Sequence, residues 1–405
     1  MKAFNWLSLS VFVLTHTGLV AQTPVLRDTL LTGYTRTALT PLYYGQGTDR
    51  LGGARMETLD SGVVLRLTGL DTVSRLWRVR LSPTLSAFVP TDQIIADTLT
   101  ASQPGSARFI NNWTVSGDST RPFDYVAVRL PTRLPYRSQV HNDPGRLIVD
   151  VFGATANTNW ITQLSSATEV KRVWFEQLAD ETVRIYIDLK HRQPWGYAIY
   201  YQRNTLLIRV RRPPGRARLR DLVIAVDAGH GGSNTGARGQ QTGKLEKEMT
   251  LDVALRLQRL LERAGSRVLM TRATDTLLGP TARILAMRRA QPNLLVSIHF
   301  NSAGNAGVRG VSTYYKHPGF RPLSQHILHE LLQIRTNDGH PNEFGNVGHF
   351  NFFFNAPTDY PNVLVEGPFL SNPADEALIT DRRFRHRMAK AIRRGIRQFL
   401  ADSVR

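Results

Sequence analysis

Four residues in the last 185 positions carry the chemistry most plainly: His230, Glu246, His299 and Glu366, spread over 137 positions. Two imidazoles and a carboxylate are a common protein ligand set for a catalytic zinc, which keeps a fourth position open for water. A further carboxylate is what such a site needs as general base. Metal-dependent hydrolysis is the leading reading. Alone, each residue has a plainer explanation. Glu246 could simply favour the helix dipole, as could Glu248 two residues on. His299 could be a satisfied core histidine. The joint occurrence is what points to a site.

The surrounding sequence predicts the elements that position them. Leu222–Val226 reads as a buried strand, Leu245–Ala264 as a helix on its leucine spacing, and Arg267–Met270 as a strand. Thr281–Ala290 reads as a helix, Asn293–Ile298 and Val308–Tyr315 as strands, and Leu323–Ile334 as a helix. Asn362–Val365 and Phe384–Leu400 complete the series as strand and helix. This alternation predicts an α/β domain with a largely parallel sheet over 220–405, in which ligands collect at the carboxyl ends of the strands. His230 follows its strand in Asp227-Ala-Gly-His-Gly-Gly, Glu246 opens a helix, and His299 and Glu366 each end a strand. The glycine-rich loop matches neither dinucleotide nor P-loop spacing.

Ahead of this domain the pattern is all β. Short alternating segments over 30–98, punctuated by Asp60-Ser61-Gly62 and Gly69-Leu70-Asp71, predict a small antiparallel module. Residues 105–212 predict a second β domain, through Tyr125–Leu130, Arg146–Val151, Val183–Leu189 and Thr205–Val210. The basic, proline-interrupted stretch from Arg211 to Arg220 reads as a linker. The chain as a whole is therefore expected to be multidomain, with N-terminal all-β modules before the α/β domain.

Lys and Arg outnumber Asp and Glu by 51 to 32 among 405 residues, a formal charge of +19. Such a surface favours polyanions: nucleic acid, anionic lipid, or the acids of a cell wall. The start of the chain narrows the choice. Met1-Lys2, an apolar run from Trp6 to Val13 and Leu19-Val20-Ala21 read as a signal peptide over 1–21, hence export to periplasm or wall. No other run approaches a membrane span, so no transmembrane segment is expected. The chain has no cysteine, which excludes disulfides, thiolate nucleophiles and Cys-ligated zinc. Export and the metal set argue against nucleic acid as partner.

With these residues in place, the last ~185 positions strongly resemble the zinc-dependent N-acetylmuramoyl-L-alanine amidases of the amidase_3 type. The likeness rests on Val226-Asp-Ala-Gly-His-Gly-Gly, Glu246-Lys followed by Leu251, Thr271-Arg272 with Asp275, Arg283, Ser297-Ile-His-Phe-Asn and Val363-Leu-Val-Glu-Gly-Pro-Phe-Leu-Ser-Asn-Pro. It implies His230, Glu246 and His299 as Zn2+ ligands and Glu366 as the catalytic carboxylate. Asp227 is a candidate for holding a ligand imidazole in orientation, and Asn301 for the same shell or for substrate. The implied substrate is peptidoglycan, cut at the amide joining N-acetylmuramic acid to L-alanine, with room for an activator protein as partner. Residues 105–212 resemble AMIN-type wall-targeting domains, particularly in Arg146-Leu-Ile-Val-Asp-Val-Phe-Gly, and 30–98 loosely resemble a bacterial SH3-like module.

Two positions depart from the family pattern: Phe300 where a small residue is usual after the second His, and Gly367-Pro368 after Glu366. Some relatives carry a long helix inserted after the second His; about 20 residues separate Asn301 from the helix near Leu323, too few for one. Rival readings are a zinc peptidase acting within the stem peptide, and a silent wall-binding or activator protein. His317, His326, His329, His340 and His349 crowd the same interval. The pair at 326 and 329 suits a solvent-facing helix better than a second metal. The loop Gly345–Asn355, rich in Phe, is placed either at the groove or in packing.

Overall fold

The structure is a computed structural model, and it describes residues 26–46, 55–101, 108–336 and 339–403. The expected signal peptide over 1–21 lies outside the described residues. The described chain forms two compact units that divide between Pro213 and Pro214.

In the first unit, seven antiparallel strands between Leu26 and Ala101 form one sheet. Val64–Asp71 shows why: every second side chain is buried and those between are half exposed, the period of a strand with one face on a core. Residues 109–211 add a five-stranded and a four-stranded sheet. Val126, Val128, Val149, Val151, Ile185, Ile187, Leu206 and Ile208 fill the core without exposure. Hydrogen bonds join the two β regions. Arg133 Nη1 donates to the Ser61 carbonyl at 2.6 Å, and the Tyr201 amide donates to the Asp60 carboxylate at 3.0 Å.

The second unit is built on a six-stranded sheet ordered Arg267–Met270, Val223–Ala228, Leu294–Asn301, Asn362–Phe369, Val311–Tyr314, Glu343–Val347. The first four run parallel; Val311–Tyr314 is antiparallel to Asn362–Phe369 and parallel to Glu343–Val347. The largely parallel α/β sheet is thus as the sequence predicts. Five helices accompany it: α1 (Glu246–Glu262), α2 (Pro280–Ala290), α3 (Arg321–Leu332), α4 (Pro373–Thr380) and α5 (Arg382–Asp402).

Strand alternation sorts the side chains onto two faces. Ala225, Asp227, Leu295 and Ser297 point toward α2, where Ile284 and Met287 pack on Ala225 and Leu295, and Arg283 meets Asp227. By the same alternation His299 points that way. Phe300, one residue on, faces α5 and lies beside Gly367 and Met388. Helices α1, α5 and α3 pack side by side as the layer on this other face. Gly395 of α5 comes so close to α3 that a Cβ there would sit 2.6 Å from the Ile327 Cα.

In the α/β unit one strand and one α-helix escape sequence reading. Glu343–Val347 is a strand, yet Glu-Phe-Gly-Asn-Val shows no alternation and is exposed or half-exposed throughout; its pairing with Val311–Tyr314, not its composition, makes it a strand. The eight-residue α4 does carry signals: Asn372 caps it, accepting from the amides of Ala374 and Asp375, and Pro373 occupies its first turn.

Candidate metal centre

His230 sits in the left-handed region, at φ +62°, in the loop that leaves strand Val223–Ala228. Two buried arginines hold that loop by its carbonyls. Arg283 donates to the carbonyls of Ala228 and His230 at 2.9 and 2.6 Å, and to Asp227 at 2.9 Å. Arg272 donates to the carbonyls of Ala228 and Gly229 at 2.9 and 2.8 Å. Burying two guanidiniums is costly unless they are paired. Asp227, with no exposure, is the counter-charge, and Thr271 and Ser297 also donate to it at 2.6 Å. The expectation that Asp227 holds a ligand imidazole is therefore corrected. Its carboxylate is filled by Arg283, Thr271 and Ser297, and it acts on His230 only through the backbone that Arg283 grips.

The loop brings His230 to Glu246, at the first turn of α1, and to His299 near the end of its strand. His230 Nε2 lies 2.9 Å and His299 Nδ1 3.0 Å from Glu246 Oε1, with the two rings 4.8 Å apart at 74°. Amides of Phe300 and Ala237 donate to the two oxygens of the same carboxylate at 3.1 and 2.8 Å. Glycines make the approach possible. A Cβ on Gly229 would stand 2.4 Å from the His299 ring, and one on Gly236 2.5 Å from Glu246 Oε2. Among the described residues, these three form the one group of His, Asp and Glu side chains whose donor atoms converge, all within 4.8 Å.

The protonation pattern tests whether this group suits a cation. Asn234 Oδ1, which accepts from the Gly236 amide at 3.3 Å, faces His230 Nδ1 at 2.9 Å. Glu246 faces the other nitrogen of the same ring. A neutral imidazole has one proton to donate and here meets two acceptors. Burial works against the charged ring, but the bond to Glu246 prevails and raises the His230 pKa. Burial likewise opposes ionisation of Glu246, and the bonds from His230 and His299 outweigh it, holding that carboxyl far below its ordinary range. A carboxylate kept ionised between two imidazoles, one already oriented through Nδ1, is a donor set that fits a divalent metal.

Glu366 stands opposite His299 in the parallel ladder. It is buried, and its Oε2 has no hydrogen-bond partner. Burial, and then the charge of Glu246, push its pKa well above that of a free glutamate. Asn301 is buried at the end of the His299 strand and donates to Ser312 Oγ at 3.0 Å. Ser312 Oγ in turn lies 3.3 Å from the Tyr314 hydroxyl. The Phe-rich loop meets both the cluster and the core. Phe352 meets the His299 ring edge-on at 5.8 Å, with Phe350 stacked on it at 5.4 Å, whereas Phe354 packs in the core beside α2.

The remaining histidines lie elsewhere. His317 is buried and bonds the Ala356 carbonyl at 3.0 Å; burial, aided by the charge of Lys316, pulls its pKa down to about 3. His326 pairs with Asp402 at 3.1 Å, while His329, His340 and His349 are exposed. Arg272 and Arg283 stand in the family motif, but nothing in their sequence neighbourhood announces that they converge on carbonyls 43 to 55 residues away.

The departures at Phe300 and Gly367-Pro368 are one feature. Phe300 pairs with Gly367 across the ladder, and a Cβ on Gly367 would lie 2.5 Å from the Phe300 ring. The Phe300 ring fills the space that a side chain at position 367 would need. Pro368 is the extra residue where the register shifts between Phe300 and Asn301, a bulge that needs no ladder N–H.

Fold and cluster together describe an α/β domain with a group of side chains that could hold a metal ion. Comparison with known proteins gives the family. Residues 224–398 match the family model described as N-acetylmuramoyl-L-alanine amidase (Amidase_3), and 110–210 match the AMIN domain; the chain thus carries an Amidase_3 domain behind an AMIN domain. It is 32% identical over 200 residues to the probable cell wall amidase LytH of Staphylococcus saprophyticus, covering 49% of this chain and 65% of that protein. It is 25% identical over 412 residues to the N-acetylmuramoyl-L-alanine amidase AmiC of Neisseria meningitidis serogroup B, covering 80% of this chain and 96% of that one. The catalytic domain of CwlV, an N-acetylmuramoyl-L-alanine amidase from Bacillus (Paenibacillus) polymyxa var. colistinus, is 32% identical over 44% of this chain and 98% of that domain, with TM-score 0.41. No helix among the described residues is long and apolar enough to cross a membrane.

Proposed function

We propose that the protein is a zinc-dependent N-acetylmuramoyl-L-alanine amidase that cuts peptidoglycan between muramic acid and the L-alanine of the stem peptide. The observation that carries this reading is the convergence of His230, Glu246 and His299, with the unpartnered carboxyl of Glu366 on the adjoining strand, inside a domain of the amidase family. His230, Glu246 and His299 would hold the ion. When bound, zinc supplies Lewis acidity, lowering the pKa of water toward neutrality and stabilising developing negative charge.

Glu366 does the proton work. Burial, and then the charge of Glu246, give its carboxyl a high affinity for a proton; an ion held by His230, Glu246 and His299 would offset the second of these. Glu366 takes that proton from the water attacking the lactyl carbonyl and returns it to the departing L-alanine amine. Arg283 and Arg272 hold the His230 loop in place, and Phe352 sets the His299 ring from the side. In this reading the enzyme is exported to the periplasm or wall, and the β modules serve to deliver it there.

Mass spectrometry of peptidoglycan digests tests the reading, run on the purified protein with and without chelator and beside Glu366→Ala. Metal-dependent release of stem peptides beginning at L-alanine, abolished in the variant, is expected. Products cut inside the stem would move the protein to the peptidase class. No release from a protein that retains metal would leave a missing activator or a silent wall-binding protein as the readings, and the amidase assignment would fall back to one of fold.

A further inference from the structure

The outward face of the α1–α5–α3 layer has no part in the site, and its charge is one-sided. Along α5 the side chains in or near solvent include Lys390, Arg393 and Arg397, and the last turns of α1 add Arg259 and Arg263. The two sets lie close together: His386 is held below its ordinary pKa by burial and then by the charges of Lys390, Arg256 and Arg263. Most acids on this layer are already engaged. Asp252 binds Arg256 and Arg385, Glu330 binds Arg394, Asp381 lies 3.6 Å from Arg387, and Asp402 binds His326. Glu262 accepts from Gln258. Among the described residues, Arg259, Arg263, Lys390, Arg393 and Arg397 have no carboxylate within ion-pair distance.

Two further facts narrow what this face could meet. None of the exposed large hydrophobic residues lies on α1, α3 or α5, so the face lacks the aromatic anchors of a protein interface or of a strand-stacking groove. It also lies clear of the site, to which α1 contributes only Glu246 of its first turn. A long cationic ridge, about 30 Å along α5, suits a broad anionic surface.

We infer that the outward α1–α5 face is an electrostatic docking surface for an anionic lipid membrane. Docking is peripheral, because nothing apolar is presented for insertion, and each cation near such a surface strengthens binding about fivefold.

Sedimentation of the full chain with vesicles tests this, and it reads binding independently of whether the site is an amidase. Binding to phosphatidylcholine vesicles containing phosphatidylglycerol is expected, with none to phosphatidylcholine alone, and it should fall with added salt. Combining Arg263→Glu, Lys390→Glu, Arg393→Glu and Arg397→Glu should weaken binding at least tenfold without changing thermal unfolding; the four Gln substitutions serve if the Glu set does not fold. Three results would overturn the inference: no binding at low salt, binding unchanged in both variant sets, or a soluble wall teichoic acid that binds the ridge more tightly than the vesicles do.

Discussion

Glu366 is held in an environment that suits a neutral carboxyl, while Glu246, one cluster away, is held ionised. That separation of two like groups is how a site assigns them different work. Glu366→Gln keeps size and removes the proton acceptor. Hydrolysis should fall by about 10²–10⁴-fold while zinc content, measured by atomic emission, stays that of the parent. Equal loss of zinc would make Glu366 a ligand and not the base. The same residues set a pH dependence for the metal-free protein. Glu366, with its pKa raised, is neutral when folded and ionised when unfolded at pH values between its two pKa values, so stability falls as pH rises above the ordinary glutamate range. His230, also raised, contributes stability below its unfolded pKa that is lost as pH rises through its folded one. Glu246, depressed, stabilises above its unfolded pKa and ceases to do so only as pH falls through its folded value. Chelated protein should therefore melt at progressively lower temperature as pH is raised from 5 to 8 in thermal scans, and added zinc should restore most at the alkaline end. A flat chelated profile would contradict the assigned shifts.

At the scale of elements, the packing of Phe300 against Gly367 across strands Leu294–Asn301 and Asn362–Phe369 is open to measurement. Gly367→Ala places a Cβ against the Phe300 ring and should cost about 1–3 kcal/mol by overpacking. In a Phe300→Ala background the same change should cost much less, giving a coupling of at least ~1 kcal/mol in a denaturation cycle. Additive effects would show that the two departures are unrelated. These strands also show what sequence reading can reach. Leu-Leu-Val-Ser-Ile-His and Val-Leu-Val-Glu each end an apolar run in a group that can do chemistry, so both strand and site were legible there. The strand Glu343–Val347 was not, because a partner creates it, nor were the partners of Asp227, which lie on three elements 44 to 70 residues away. Period and spacing report on neighbours in the chain; long-range hydrogen bonds leave no such trace.

At the scale of the molecule, contacts separate the β regions from the α/β unit at Pro213 and Pro214, and the candidate ligands all belong to the second. Calorimetry of the full chain should show two transitions, only one of which moves to lower temperature with chelator. A single transition that shifts as a whole would mean that the units unfold together. Composition hinted at the division, since the basic, proline-interrupted stretch from Arg211 to Arg220 falls across it. The bonds of Arg133 and Tyr201 to the Ser61–Asp60 turn, which bind the two β regions to each other, had no counterpart in composition.

The grip of Arg272 and Arg283 on the Asp227–His230 loop has a kinetic side. Many small metal sites are assembled by the ion itself, so that loss of the ion is loss of structure. Here buried cations of the chain already collect the carbonyls, and the ordering entropy of the loop is met during folding. An ion bound as proposed would find its first imidazole in place, and on leaving would leave the loop standing. Exchange would then run at the pace of ligand dissociation instead of unfolding, and a molecule stripped of its ion would be reloaded where it stands.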